Sequence, residues 1–179
     1  MLQRVHLFIL ILFLISPVLY ADNILTEDVY ANPDWQPEVP FKEAEVTIPD
    51  EINLDDLQEF QVGADQPRFR YYIERGSLKT GTEGVTRFAV VIRSQSGATN
   101  SSYEGLRCGE REYKVYAYGS ANKLFPAADS DWQTIPKDES TDYRAALYED
   151  LICNLLTGQT NPSDAIFRAM RDNRSLNNF

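Results

Sequence analysis

From Leu57 to Gly119 the chain alternates between apolar and polar residues in five short segments separated by turn-rich stretches. A two-residue period places successive side chains on opposite faces of a strand, so this region is restricted to half-buried β-sheet. The segments are QEFQV (58–62), RFRYYIE (68–74), TRFAVVIRS (86–94), SSYEGLRC (101–108) and EYKVYAYG (112–119). In TRFAVVIRS, Phe88, Val90 and Ile92 share one side, and Arg87, Ala89, Val91 and Arg93 the other. Compact linkers such as SGATN and Gly109-Glu110-Arg111 predict an antiparallel meander of four to five strands.

Past Ser140 the period changes. With Ser140 or Thr141 as N-cap, TDYRAALYEDLIC reads as a helix with Tyr143, Ala146, Leu147, Leu151 and Cys153 on one broad side, stopped by Gly158. Asn161-Pro162 starts a second helix through SDAIFRAM, with Asn161 as cap and RDNRSLNNF as a frayed end. Strands followed by helices give an α+β domain over 57–179, its two C-terminal helices covering one face of the sheet.

The N-terminal part is built differently. Arg4, the apolar run Leu7–Ile15, Ser16-Pro17 and Ala21 follow the order of a secretory signal, with Asp22 as the first mature residue. The run is shorter than the ~20 residues of a membrane span, so no span is expected after cleavage, and the expected location is periplasmic or secreted. Cleavage would also remove His6, the only histidine, and with it Ser-His-Asp or Cys-His catalysis and histidine-held metals. No metal site and no cofactor are expected. Residues 22–56 form an acidic arm with Pro33, Pro37, Pro40 and Pro49, too proline-rich for long helices or central strands. The apolar groups of WQPEVPF predict that 35–49 lies along the domain surface while 22–32 stays loose.

Charge follows the same division. Residues 22–59 carry 12 acids and one base, Lys42, whereas 60–179 carry 15 of each sign. A nucleic-acid footprint would be a basic patch on a basic domain, and none is present in this balance.

Cys108 and Cys153, 45 residues apart, are the only cysteines. In an exported chain an isolated pair reads as a structural disulfide. A catalytic thiol would instead need an activating base, and Arg107 offers only positive charge. If the strand 101–108 alternates regularly, Glu104, Leu106 and Cys108 share a face, and the disulfide to the helix carries Glu104 inward. A buried unpaired carboxylate is costly. Either a bulge at Gly105 returns Glu104 to the surface, or an arginine meets it, with Arg144 the candidate. Glu104 as a general acid or base, with Asp150 as a second carboxylate, is the catalytic alternative.

The opposite face gathers Arg70, Tyr72, Arg87, Arg93, Tyr103, Arg107, Lys114, Tyr116 and Tyr118. Tyrosine and arginine are enriched at recognition hot spots, so Arg70, Tyr72, Arg93, Tyr103, Arg107, Tyr116 and Tyr118 are candidate binding residues. Their partner would be an envelope protein, a glycan or another anionic ligand. A solvated face, or one covered by the chain's own acidic arm, competes with that reading.

The succession LQEFQV, YYIERGSLKTGTEGVTRFAVVIRSQSGATNSSYEGLRC, YKVYAYG and YRAALYEDLIC resembles the cryptic-neisserial-protein-like family of proteobacteria, over roughly residues 35–172. The resemblance implies a small exported envelope protein whose paired cysteines match Cys108 and Cys153, and it brings no activity with it. The expected function is therefore a non-enzymatic envelope accessory acting through the Arg/Tyr face and the acidic arm. A histidine-independent carboxylate enzyme on cell-wall or glycan substrates and a small-ligand carrier are the alternatives.

Overall fold

The computed structural model describes residues 40–63, 68–137 and 142–177. The predicted signal segment, Trp35, and the caps Ser140 and Thr141 lie outside these residues. Each of the five alternating segments forms a strand: β1 Leu57–Phe60, β2 Phe69–Glu74, β4 Val85–Ser94, β5 Thr99–Arg107 and β6 Glu112–Ser120. Three more join them, β3 Lys79–Thr80, β7 Lys123–Pro126 and β8 Gln133–Thr134. The result is an eight-stranded antiparallel sheet in the order β1-β2-β4-β5-β6-β7, with β3 on β4 and β8 on β6. The expectation of four to five strands is corrected to eight. The added strands have two to four residues, too few for an alternation to show, and β7 ends on Pro126, which cannot donate to a ladder.

One face packs on the helical third. α1, Tyr143–Ala146, continues as a π-helix, Leu147–Ile152, and leads into a small hairpin of β9 Cys153–Asn154 and β10 Gln159–Thr160. α2 follows over Ser163–Asp172. Asp142 caps α1, its carboxylate accepting the Arg144 N–H at 2.7 Å. Pro162, one residue later than predicted, is the N-cap of α2. Ile73, Phe88, Val90 and Leu106 of the sheet form one core with Leu147, Ile152, Ile166 and Met170 of the helices. Burying each such side chain contributes about 1.5–3 kcal/mol. Cys108 and Cys153 are bonded, fastening the end of β5 to the end of the π-helix.

The predicted fraying after α2 is corrected for the described residues up to Asn177. Asn173 takes the left-handed conformation (φ 48°) that ends a helix. The chain then folds back so that Leu176 N–H donates to the Asp150 carbonyl at 2.7 Å. Asn177 Nδ2 donates to the carbonyls of Glu149 (2.6 Å) and Cys153 (2.7 Å). These are carbonyls that a helix end leaves without partners, so polar bonding fixes a tail whose composition suggested fraying.

The other face is concave and holds a second core of Ile52, Tyr72, Ala89, Val91, Tyr103, Tyr116, Ala117 and Leu124. Successive amides of the arm reveal the curvature. Ile52 N–H donates to Asn122 O, beside β7, at 2.7 Å, and Asn53 N–H donates to Glu74 Oε1, on β2, at 2.8 Å. Two adjacent residues can touch both sides of the meander only if the sheet coils around them.

Gly119 pairs with Leu124 in the β6–β7 hairpin. A Cβ there would sit 1.9 Å from the Lys123 carbonyl oxygen, which is backbone and cannot step aside. Gly119→Ala should therefore cost about 2–3 kcal/mol, read by urea denaturation. A change below about 0.5 kcal/mol would mean that the β6–β7 hairpin is looser than described.

Candidate functional site

Glu104 resolves one of the questions raised by the sequence. It is 0 % exposed and faces the helices. Arg144 donates from Nε to Oε2 and from Nη2 to Oε1, both at 2.8 Å. The hydroxyls of Tyr143 and Ser102 each donate to Oε1 at 2.6 Å. Arg144 in turn lies over the rings of Tyr113 and Tyr143, at 4.1 and 4.5 Å. Burial alone would lower the Arg144 pKa, but the adjacent Glu104 charge outweighs it and raises it. Burial, reinforced by Glu104, pushes the Tyr143 phenol far up, so it remains a donor. Four donors thus hold a carboxylate that is fully buried, three of them on Oε1 and one on Oε2, and the exposed Asp150 does not appear among its partners.

There is a bulge, but it does not release Glu104. The register shifts between Tyr103 and Glu104, and the extra residue is on β6: Glu104 pairs Val115 while Tyr103 pairs Ala117. Tyr116 is thus the inserted residue and stays on the concave face, where Gly105 makes room for it. A Cβ at Gly105 would meet the Tyr116 hydroxyl at 2.7 Å. The insertion inverts the alternation beyond it. Tyr118, expected beside Tyr116, pairs Ser102 and Phe125 and falls on the opposite side, 57 % exposed next to a 64 % exposed Phe125. That correction follows directly from the bulge.

The concave face is occupied by Phe41 to Asn53. Glu43 is the polar centre of the contact. Its Oε2 accepts from Lys114 Nζ at 2.9 Å, and its Oε1 accepts from the Tyr116 hydroxyl at 2.6 Å and lies 3.7 Å from Arg87 Nη2. Burial would raise the Glu43 pKa, but the Tyr116 hydrogen bond and Lys114 together hold it below its ordinary value. Burial and the same hydrogen bond raise the Tyr116 pKa. Phe41 covers Arg107, whose guanidinium lies 3.9 Å from its ring and 5.3 Å from that of Trp132. Val46 and Ile48 pack on the second core.

The seven candidate binding residues therefore have different surroundings. Tyr72, Tyr103 and Tyr116 are buried in the second core. Arg107 is enclosed by Phe41 and Trp132 and paired with Glu112 at 2.7 Å. Arg70 remains 62 % exposed, paired with Glu59, and Arg93 stacks on Tyr72 at 5.0 Å. Glu43 was missed in the sequence because an acid in a proline-rich arm reads as solvated. The only signal that could have found it was the matching surplus of cations on the face it covers.

Among the described residues no helix is long and apolar enough to cross a membrane, and no group of three or more acidic, histidine or cysteine side chains is arranged to hold a metal. Fold and site together define an α+β domain with one disulfide-fastened face and one face covered by an acidic arm. The chain belongs to the CNP1-like family, whose family model matches residues 36–171. No curated protein and no solved structure matches it.

Proposed function

We propose that the protein is an exported, non-enzymatic binding module of the cell envelope that recognises extended acidic segments on its concave Arg/Tyr face, in exchange for its own arm. The observation that carries this reading is Glu43, whose carboxylate is held by Lys114, Tyr116 and Arg87 as a partner's carboxylate would be. Export is supported by the apolar Leu7–Ile15 run and by the disulfide, which persists in oxidising compartments. An intrinsic occupant lowers apparent affinity for outside partners and guards the face against weak ones.

The test is in-cell crosslinking of the full chain beside Glu43→Gln and Lys114→Glu variants. Weakening the arm contact with Glu43→Gln should increase capture of an acidic partner, and reversing the charge at Lys114 should abolish it. Capture that ignores both substitutions removes the concave face from recognition.

A pH dependence follows from the lowered Glu43 pKa. A carboxyl more acidic folded than unfolded stabilises above its unfolded value, and the contribution fades as pH falls through the folded one. Protease protection of residues 41–50 should therefore hold at neutral pH and drop below about pH 4. Protection that stays constant down to about pH 3 would show that the apolar contacts alone hold the arm.

A further inference from the structure

The concave face continues past the arm. Tyr72 on β2 and Val91 on β4 pair with each other in the core shared with Val46, Ile48 and Ile52 of the arm. Two residues further along the same strands, and so on the same face, Arg70 stands opposite Arg93. We propose that this arginine rim binds a phosphate monoester.

Like charges directly opposite each other destabilise a sheet, yet both guanidinia are held on one ring. Arg93 lies 5.0 Å and Arg70 5.6 Å from the centroid of Tyr72. A stacked guanidinium uses its flat face on the ring, and its N–H donors, which lie in its plane, still point outward. Arg70 is held further by Glu59, which accepts from Nε at 2.9 Å and from Nη2. Its side chain is 62 % exposed, and its Nη1 has no acceptor among the described residues. Arg93 has neither an ion-pair partner nor a hydrogen-bond acceptor for its side chain there, and its environment is the ring alone. These donors open to solvent and are already positioned.

The count of charges selects the ligand. Arg68, two residues before Arg70, is exposed and has no ion-pair partner among the described residues. Three cations thus stand beside one carboxylate, that of Glu59. A carboxylate has two oxygens and one charge, and a single guanidinium matches it, as Arg70 matches Glu59. Two more arginines beside that pair suit an anion with three free oxygens and close to two charges, which is a phosphate monoester. A soluble phosphate ester and the headgroup of phosphatidic acid present this same group. No hydrogen bond or ion pair joins Arg70 or Arg93 to the arm among the described residues. The rim is therefore available with the arm docked, whereas exchange for an acidic segment needs the arm gone, and the two readings can fail separately.

The test is calorimetric titration of the full chain with sn-glycerol 3-phosphate and with glycerate, its carboxylate counterpart. The phosphate should bind about tenfold more tightly than glycerate, and Arg93→Gln should weaken it about tenfold. Where Arg93→Gln lowers the melting temperature, the exposed Arg68→Gln takes its place with the same expected loss. Lys114→Glu, which alters the face under the arm, should leave the phosphate affinity unchanged. Co-sedimentation with phosphatidylcholine vesicles containing phosphatidic acid, at equal phosphate concentration, separates the sources: tighter binding than to the soluble ester identifies a headgroup, and equal or weaker binding a soluble ester. Absence of binding to either probe up to about 10 mM, equal affinity for phosphate and glycerate, affinity that survives both arginine substitutions, or a loss produced by Lys114→Glu instead would each overturn the proposal.

Discussion

Arg144→Met should destabilise the protein by about 3–5 kcal/mol, because it leaves the Glu104 carboxylate charged in the core without its counter-ion. The Ser102 and Tyr143 hydroxyls would remain as donors, but neither carries the opposite charge. The Arg144 side chain keeps 17 % exposure, which points to the lower part of that range. Against a total stability of about 5–15 kcal/mol, typical of such domains, the loss is large. Glu104→Met should cost a similar amount by stranding the arginine. The double replacement should cost clearly less than the sum, since an apolar pair of similar volume often substitutes for a buried ion pair without loss. Urea denaturation of the four proteins checks this. Additive costs, or a single loss below about 1 kcal/mol, would mean that the charges are not coupled as the 2.8 Å contacts require.

Removing the disulfide should have an effect of comparable size. The Cys108–Cys153 bond closes 45 residues, for which the loop-entropy account gives roughly 4 kcal/mol, an upper-end figure. Cys108→Ser and Cys153→Ser should lower the melting temperature alike, and the double variant should be little worse than either. Both sulfur positions are buried, so serine adds some cost for an unpartnered hydroxyl. Reduction of the wild-type protein should reproduce the loss without that cost. A double variant far below both singles would mean that each cysteine contributes mainly by packing.

The strands long enough to alternate were legible in the sequence because alternation is a local signal. Val85–Ser94 and Phe69–Glu74 needed only Val, Ile, Phe or Tyr at every second place. The attachment of the helical side was also readable, since one disulfide and one buried carboxylate link β5 to it, whereas the π-helix and the β9–β10 hairpin that takes Cys153 out of the expected helix were not. Two further features were not readable either. A bulge depends on pairing between strands, so nothing within EYKVYAYG marks Tyr116 as the inserted residue or moves Tyr118 across the sheet. The role of Glu43 depends on curvature, which brings Lys114, Tyr116 and Arg87 around one oxygen pair only after the sheet has coiled.

The two faces of the sheet also differ in how they would respond to mechanical load. On the helical side a covalent crosslink bypasses the segment between Cys108 and Cys153, so pulling cannot extract its length, about 160 Å at full extension. On the concave side the arm is attached by hydrogen bonds, ion pairs and apolar contacts that can release one after another from Phe41 to Asn53. Tension applied through the arm would therefore peel it like a zipper at low force, while the rest of β5, the helices and their crosslink stay folded. The arm would act as a mechanical fuse, and the face beneath it would be uncovered before the domain unfolds.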